Sequence, residues 1–231
     1  MSNAFSLSIV TPVFNEEPII ENTVKTNLQL LRHLHFDFEI LIVNDGSTDG
    51  SASIIDRCFS GIPEIKVIHK PVNEGFGSTV KTGIESARKE YILCIPADSP
   101  LTEEILELFV NSAPKADIIV SYRIERPGYN WRMNLNSVVY HFIIKNLFNL
   151  PLRDFNWIHL YHRRIFDERG VTITSKGIFM LAEVLIAAKK KGCTFYEIPM
   201  RPTQRITGVA TASKFTTIIK TVQEMAVYYF G

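Results

Sequence analysis

Four short polar stretches hold the residue types that handle phosphates, cations and hydroxyl groups: NEE at 15–17, NDGSTD at 44–49, NEGFG at 73–77 and PADSP at 96–100. In the last, an apolar run from Tyr91 ends on one carboxylate, Asp98, between Pro96 and Pro100. One carboxylate is fewer than a metal site normally wants. Asp45 also follows an apolar run. A carboxylate there accepts hydrogen bonds from ribose hydroxyls or a base N–H, and an Asp beside Gly46 equally well forms an Asx turn. Gly75 and Gly77 serve either a tight turn or a close approach of backbone to a ligand at a helix start. NEGFG lacks the third glycine of a dinucleotide fingerprint, and no GxxxxGK[ST] occurs, so neither dehydrogenase nor P-loop chemistry is indicated.

These stretches need elements to hold them. Segments 7–13, 38–44, 65–69, 91–95 and 117–123 read as buried strands, with amphipathic helices between them. Strands alternating with helices imply right-handed crossovers and an α/β fold, a mostly parallel sheet with helices on both faces. In such sheets ligands bind beyond the carboxyl ends of the strands, where all four polar stretches fall. Pro18 is expected in the first turn of the first helix, and Ser47 or Asp49 as the cap of the second. After residue 123 the pattern changes. A helix carrying Leu135, Val138, Val139, Phe142 and Ile143 is expected to pack that face into the core. A second helix ends at Lys189–Lys191 and Gly192, a late strand covers 194–199, and a polar loop with several cations leads into a last helix. One domain over 1–231 is expected, with a nucleotide-binding half at about 5–123 and an acceptor-side elaboration at about 124–231.

Composition narrows the class. The chain has 231 residues, 46% apolar and 21% charged, with a net charge of +1. A full core follows, and bulk charge gives no argument for nucleic acid. The three cysteines, Cys58, Cys94 and Cys193, have no metal-site spacing and suit a reducing, cytoplasmic compartment. No signal peptide and no membrane span are expected.

The stretches VTPVFNEE, VNDGSTDGS, NEGFGSTVKTGIESARKEYI and PADSP, in this order and spacing, resemble family 2 glycosyltransferases of the GT-A fold. Nearest in pattern are polyprenyl-phosphate sugar transferases of the dolichol-phosphate mannose synthase type, over roughly residues 7 to 215. The resemblance implies transfer of a hexose, with inversion, from a nucleoside-diphosphate sugar to a polyprenyl phosphate at the inner face of a membrane. It implies that Pro12, Phe14, Glu16, Asp45 and Gly75 bind the nucleotide, and that Asp98 belongs to a DxD motif holding Mg²⁺ or Mn²⁺. Arg123, Arg205 and Lys214 would serve the diphosphate in catalysis, and Arg132, Asp154 and His159 the acceptor. A phosphate acceptor is already an anionic nucleophile and needs no general base, whereas a sugar hydroxyl would need one, with Asp154 as the candidate.

The chain departs from this pattern in three places. The first Asp of DxD is Pro96, which has no ligating side chain, so the cation site is thinned. Pro100 replaces a further polar ligand. Where relatives carry Asp-Phe-Arg, this chain reads Trp157-Ile158-His159, exchanging a permanent cation for an imidazole. A nucleotide-sugar-binding homologue without catalysis is the alternative these departures motivate. The residues do not separate UDP from GDP donors, and they leave the oligomeric state open.

Overall fold

The computed structural model describes residues 5–125, 131–201 and 215–230. The strands are β1 (Ser6–Val13), β2 (Asp37–Asn44), β3 (Ile65–His69), β4 (Tyr91–Cys94), β5 (Ile118–Arg123), β6 (His159–His162) and β7 (Phe195–Met200). The helices are α1 (Ile20–His33), α2 (Ser51–Phe59), α3 (Phe76–Ser86), α4 (Glu103–Ser112), α5 (Trp131–Leu147), α6 (Arg164–Asp167), α7 (Met180–Lys190) and α8 (Phe215–Phe230). The strands form one sheet in the order β3-β2-β1-β4-β6-β5-β7. All pairings are parallel except those of β6, which runs antiparallel to both β4 and β5.

Register sets the position of the site. Val13 lies opposite Asn44, and Asn44 opposite His69, so β1, β2 and β3 end at one level. The last pairing of β4 is Cys94 with Val10, three residues short of the end of β1. This shelf lies at the β1/β4 switch point of the sheet, the place where open α/β sheets take ligands. Pro12 is tolerated in a central strand because it lies beyond the last β4 pairing.

Two apolar layers cover the sheet. One joins Ile20, Val24, Leu28 and Leu31 of α1 to Leu106 and Phe109 of α4 over Ile9, Ile40 and Leu93. The other packs Val80 and Ile84 of α3 and Val184 and Leu185 of α7 against Val10, Leu41 and Ile92. The expected strands and helical stripes are present. Pro18 lies in the turn before α1 and not in its first turn, and Asp49, one residue before the N-cap Gly50, accepts from Ser51 N–H at 3.0 Å at the start of α2.

Two expectations need correction. HLYH at 159–162 was not anticipated as a strand. It is short and flanked by histidines, and only pairing on both sides makes it β6. Most of the described α5 face stays outside the core: Val138, Val139 and Phe142 are 63%, 48% and 68% exposed, Ile143 packs partly buried against the core, and Ile144 is the fully buried side chain among those described in that helix. Polar and apolar side chains are mixed around this helix without separating into two faces, so periodicity cannot select its inner face. Among the described residues no helix is long and apolar enough to cross a membrane.

Candidate active site

The loops after β1 and β2 are locked together. Asn15 N–H donates to Ser47 Oγ at 3.0 Å, and Thr48 N–H returns to Asn15 Oδ1 at 2.8 Å. Glu16 N–H donates to Ser51 Oγ at 2.9 Å, Glu17 N–H to Asp49 Oδ2 at 3.1 Å, and Gly50 N–H to Glu17 Oε2 at 2.9 Å. Backbone donors of both loops are therefore satisfied by short polar side chains and not by a ligand. Phe14 projects from this platform, 43% exposed. Pro12 and Glu16 are half-buried beside it.

Asp45 is 3% exposed. Its Oδ1 accepts from Glu74 N–H at 3.0 Å and its Oδ2 from Gly75 N–H at 2.9 Å, and Lys70 Nζ lies 3.1 Å from Oδ1. The carboxylate thus holds the glycine loop and keeps lone pairs for further donors. Gly46, at φ +65°, lets Val72 pass: a Cβ there would stand 2.6 Å from the Val72 carbonyl carbon.

The question left open for Gly75 and Gly77 has a structural answer. A Cβ on Gly75 would meet Lys176 O at 2.6 Å, and one on Gly77 would meet Ser175 O at 2.3 Å. Gly77 N–H donates to Lys176 O at 2.7 Å. The glycines admit segment 174–177 of the same chain. Two further carboxylates hold that segment from below. Glu183, fully buried in α7, accepts from Thr174 N–H and Ser175 N–H, each at 2.9 Å. Glu224 Oε1, from α8, accepts from Lys176 N–H at 3.1 Å and Gly177 N–H at 2.7 Å.

The loop carrying Asp98 is pinned by α1. Thr23 Oγ1 donates to Ala97 O at 2.6 Å, and Asn27 Oδ1 accepts from Leu101 N–H at 2.8 Å. Ser99 N–H closes a turn on Pro96 O at 3.1 Å. Asp98 is half-buried at the tip of this loop. Among the described residues no group of three or more His, Cys, Asp or Glu side chains gathers to hold a metal. Asp98 supplies one carboxylate at this loop, a donor that could contribute to holding a hard divalent ion such as Mg²⁺ or Mn²⁺.

Arg123, at the end of β5, makes a two-pronged pair with Asp154: Nε to Oδ2 at 2.8 Å and a terminal nitrogen to Oδ1 at 3.0 Å. Its guanidinium also stacks 4.7 Å from the Trp157 ring. His141 Nε2 lies 3.2 Å from Asp154 Oδ1, and its Nδ1 lies 2.7 Å from Ser137 O. Asp154 is 1% exposed. Burial opposes its ionisation, but His141 and Arg123 outweigh that and hold its carboxyl well below the usual range. A general base needs the opposite tuning, so Asp154 is corrected from acceptor-side base to the anion of a buried cluster. His159 is corrected too. It is 1% exposed, and burial pushes its imidazole down to about 4, so it is neutral and cannot stand in for an arginine.

Arg132 lies in the first turn of α5, its side chain outside the described residues, as are Arg205 and Lys214. The sequence argument missed Lys70, Glu183, Glu224 and His141. A lone Glu in the apolar run FMLAEVLIAA was the available signal for Glu183. All three cysteines are free thiols, and burial pushes Cys94 up to about 12.

Comparison with known proteins gives the same picture. EpsH of Bacillus subtilis, named a glycosyltransferase, is 30% identical over 181 residues, covering 74% of this chain and 51% of that protein. An undecaprenyl-phosphate 4-deoxy-4-formamido-L-arabinose transferase of Pseudomonas savastanoi pv. phaseolicola is 27% identical over 168 residues, covering 70% and 48%. The chain therefore spans about half the length of these relatives. Among solved structures, glucosyl-3-phosphoglycerate synthase from Mycobacterium tuberculosis, in complex with Mn²⁺, UDP and phosphoglyceric acid, superposes with TM-score 0.74 at 14% identity. That match covers 98% of this chain and 79% of the other. The same enzyme with Mg²⁺ and UDP gives TM-score 0.70 at 14% identity, over 95% and 79%. The fold is that of the GT-A glycosyltransferases. The profile described as Glycosyl transferase family 2 matches residues 8–170, and the chain belongs to that family.

Proposed function

We propose that this chain transfers a hexose from a nucleoside-diphosphate sugar to a polyprenyl phosphate, with inversion and with help from a divalent cation. The observation that carries this is the meeting of the Asp45-held glycine loop, the interlocked 14–17 and 44–51 loops and the Asp98 loop on one edge of the sheet. A sugar nucleotide laid across that edge would have its nucleoside beside Phe14 and Asp45 and its diphosphate toward Asp98. UDP is the nucleotide to try first, since the structurally similar synthase holds it. A bound cation would neutralise charge on the departing diphosphate. Asp98 would hold that ion, and Arg123, Arg205 and Lys214 would add fixed positive charge.

Two observations favour a phosphate acceptor over a sugar hydroxyl. Asp154 is paired and kept ionised, which removes the one candidate base. The exposed Val138, Val139 and Phe142 of α5 give a surface that can rest on lipid at the cytoplasmic face of a membrane. The named acceptor of the Pseudomonas relative is of this kind. Pro96 and the engaged Arg123 keep a second reading in play, a nucleotide-sugar binder without turnover.

The test is a thermal-shift series with UDP- and GDP-sugars, with Mn²⁺ and with chelator. Ligand at about 100 times its dissociation constant adds about 2.7 kcal/mol to the folded state. No shift from any nucleotide sugar at millimolar concentration would sink the proposal. A shift without transfer to polyprenyl phosphate or to any saccharide would select the non-catalytic reading.

A further inference from the structure

The geometry assigns Lys176 as a binding residue for the diphosphate of the nucleotide, set in place by Glu183 and Glu224. The inference rests on the nucleotide-sugar reading and names a contact that reading does not include. Segment 174–177 lies directly against the glycine loop: the Cβ of Lys176 is 3.9 Å from the position a Cβ on Gly75 would take. The Lys176 backbone is fixed on both sides, its N–H by Glu224 and its carbonyl by Gly77 N–H. Its neighbours Thr174, Ser175 and Gly177 have their own N–H groups held by Glu183 or Glu224. The side chain itself is exposed.

Two of the other described cations at this edge are already engaged. Lys70 is 3.1 Å from Asp45 and 2.6 Å from Glu74, and Arg123 is paired with Asp154. Lys176 has no carboxylate oxygen within 4.0 Å of its ammonium among the described residues. Its field nevertheless reaches the glycine loop. The Glu74 carboxyl is held below its usual range first by Lys70, then by Ser78, with Lys176 adding a smaller pull. A fixed backbone carrying an exposed ammonium beside the glycine loop is the preorganised arrangement that anion binding rewards. With Pro96 in place of a ligating Asp, the diphosphate depends more heavily on such a cation.

Calorimetric titration of UDP, UMP, GDP and GMP into the whole chain tests this. Lys176→Ala is expected to weaken the preferred nucleoside diphosphate about tenfold while leaving its monophosphate within about twofold, since a charge-assisted contact to the outer phosphate is lost. Lys176→Arg should restore most of the difference. Glu224→Gln keeps an oxygen that accepts both N–H groups and should bind as wild type does. Glu224→Ala should copy Lys176→Ala in its diphosphate-over-monophosphate ratio. Equal losses for mono- and diphosphate, or no loss in Lys176→Ala while wild type binds, would overturn the assignment and leave the nucleotide reading standing. Failure of wild type to bind either diphosphate would overturn both. Lys176 is exposed, so its variants test the idea even if Glu224→Ala does not fold.

Discussion

Asp45→Asn separates a loop anchor from a ligand contact. The wild-type carboxylate accepts from Glu74 N–H and Gly75 N–H, one bond to each oxygen, at 3.0 and 2.9 Å. Asparagine keeps one acceptor and presents an amide NH₂ to the other N–H, so one donor is left facing a donor. An orphaned buried donor costs about 1–3 kcal/mol. Losing the charge also removes one partner of Lys70, whose side chain is 9% exposed, although Glu74 at 2.6 Å remains. Together these put the destabilisation at about 2–4 kcal/mol, below the ~3–5 kcal/mol of a fully broken buried pair. For a chain of this size each kcal/mol moves Tm by about 2–4 °C, so the ligand-free Tm should fall by about 5–15 °C. Nucleoside diphosphate affinity should fall with it, in Mn²⁺ and in chelator alike, because the glycine loop is no longer held. Gly75→Ala should reproduce both effects, since φ is +101° and the added Cβ would meet Lys176 O at 2.6 Å. Differential scanning calorimetry and isothermal titration measure the two quantities. An Asp45→Asn protein that melts within about 2 °C of wild type yet no longer binds nucleotide would refute the reasoning, because the carboxylate would then serve the ligand and not the loop.

Other expectations follow from the same geometry. Burial pushes His159 down to about 4, so as pH falls below about 6.5 the unfolded chain binds the proton first. Stability is then complete above about pH 6.5 and declines by up to about 3 kcal/mol toward pH 4. His159→Leu should flatten much of that decline in a Tm-against-pH series, and an unchanged slope would place its origin elsewhere. Asp98→Asn should remove most of the transfer activity while leaving chelator-phase nucleotide affinity within about twofold, and Mn²⁺ should bind wild type measurably only with diphosphate present, as read by electron paramagnetic resonance. Strong Mn²⁺ binding without nucleotide would contradict a substrate-bridged ion. Phe142→Ser on the exposed face of α5 should change stability by no more than about 0.5 kcal/mol and still reduce flotation with polyprenyl-phosphate vesicles; equal flotation would remove the lipid contact from α5.

The parts legible in the sequence share one property: their signal is local. β1, β2 and β3 are apolar runs bounded by Asn, Asp and Gly, and the α1 stripe at Ile20, Val24, Leu28 and Leu31 repeats at helical spacing. Strand–helix alternation then places the polar stretches on one edge without further information. What escaped depended on partners remote in sequence. Asp45 reads as a turn residue or a ligand until Glu74 and Gly75, about thirty positions away, are seen to donate to it. The surroundings of His141 and His159 were not legible because neither has a local signature: one meets a carboxylate thirteen positions on, and the other is buried in the sheet. The inner face of α5 is not legible because its polar and apolar residues are interspersed around the helix and give periodicity nothing to choose between.

The distribution of carboxylates gives the site its electrostatic logic. An anionic substrate is repelled by any carboxylate aimed at it, by about 3 kcal/mol for unit charges 5 Å apart at an effective dielectric of about 20. Asp45, Glu183 and Glu224 support the edge where the diphosphate is proposed to bind, and each accepts from two or more backbone or hydroxyl donors of the loops above it. Their charge is answered by fixed dipoles, and the loops gain rigidity in return. Asp98 stands at the tip of its own loop, held by α1 through its neighbours Ala97 and Leu101. In the proposed function it meets the diphosphate productively only with a cation between them. Pro96 lowers the negative charge at that point by one relative to a DxD pair and fixes the loop's exit from β4, so the ion has less protein charge to neutralise and less to hold it. Under the proposed function, a site built this way would draw its metal through the substrate and leave the fixed cations around it more of the work of holding the diphosphate.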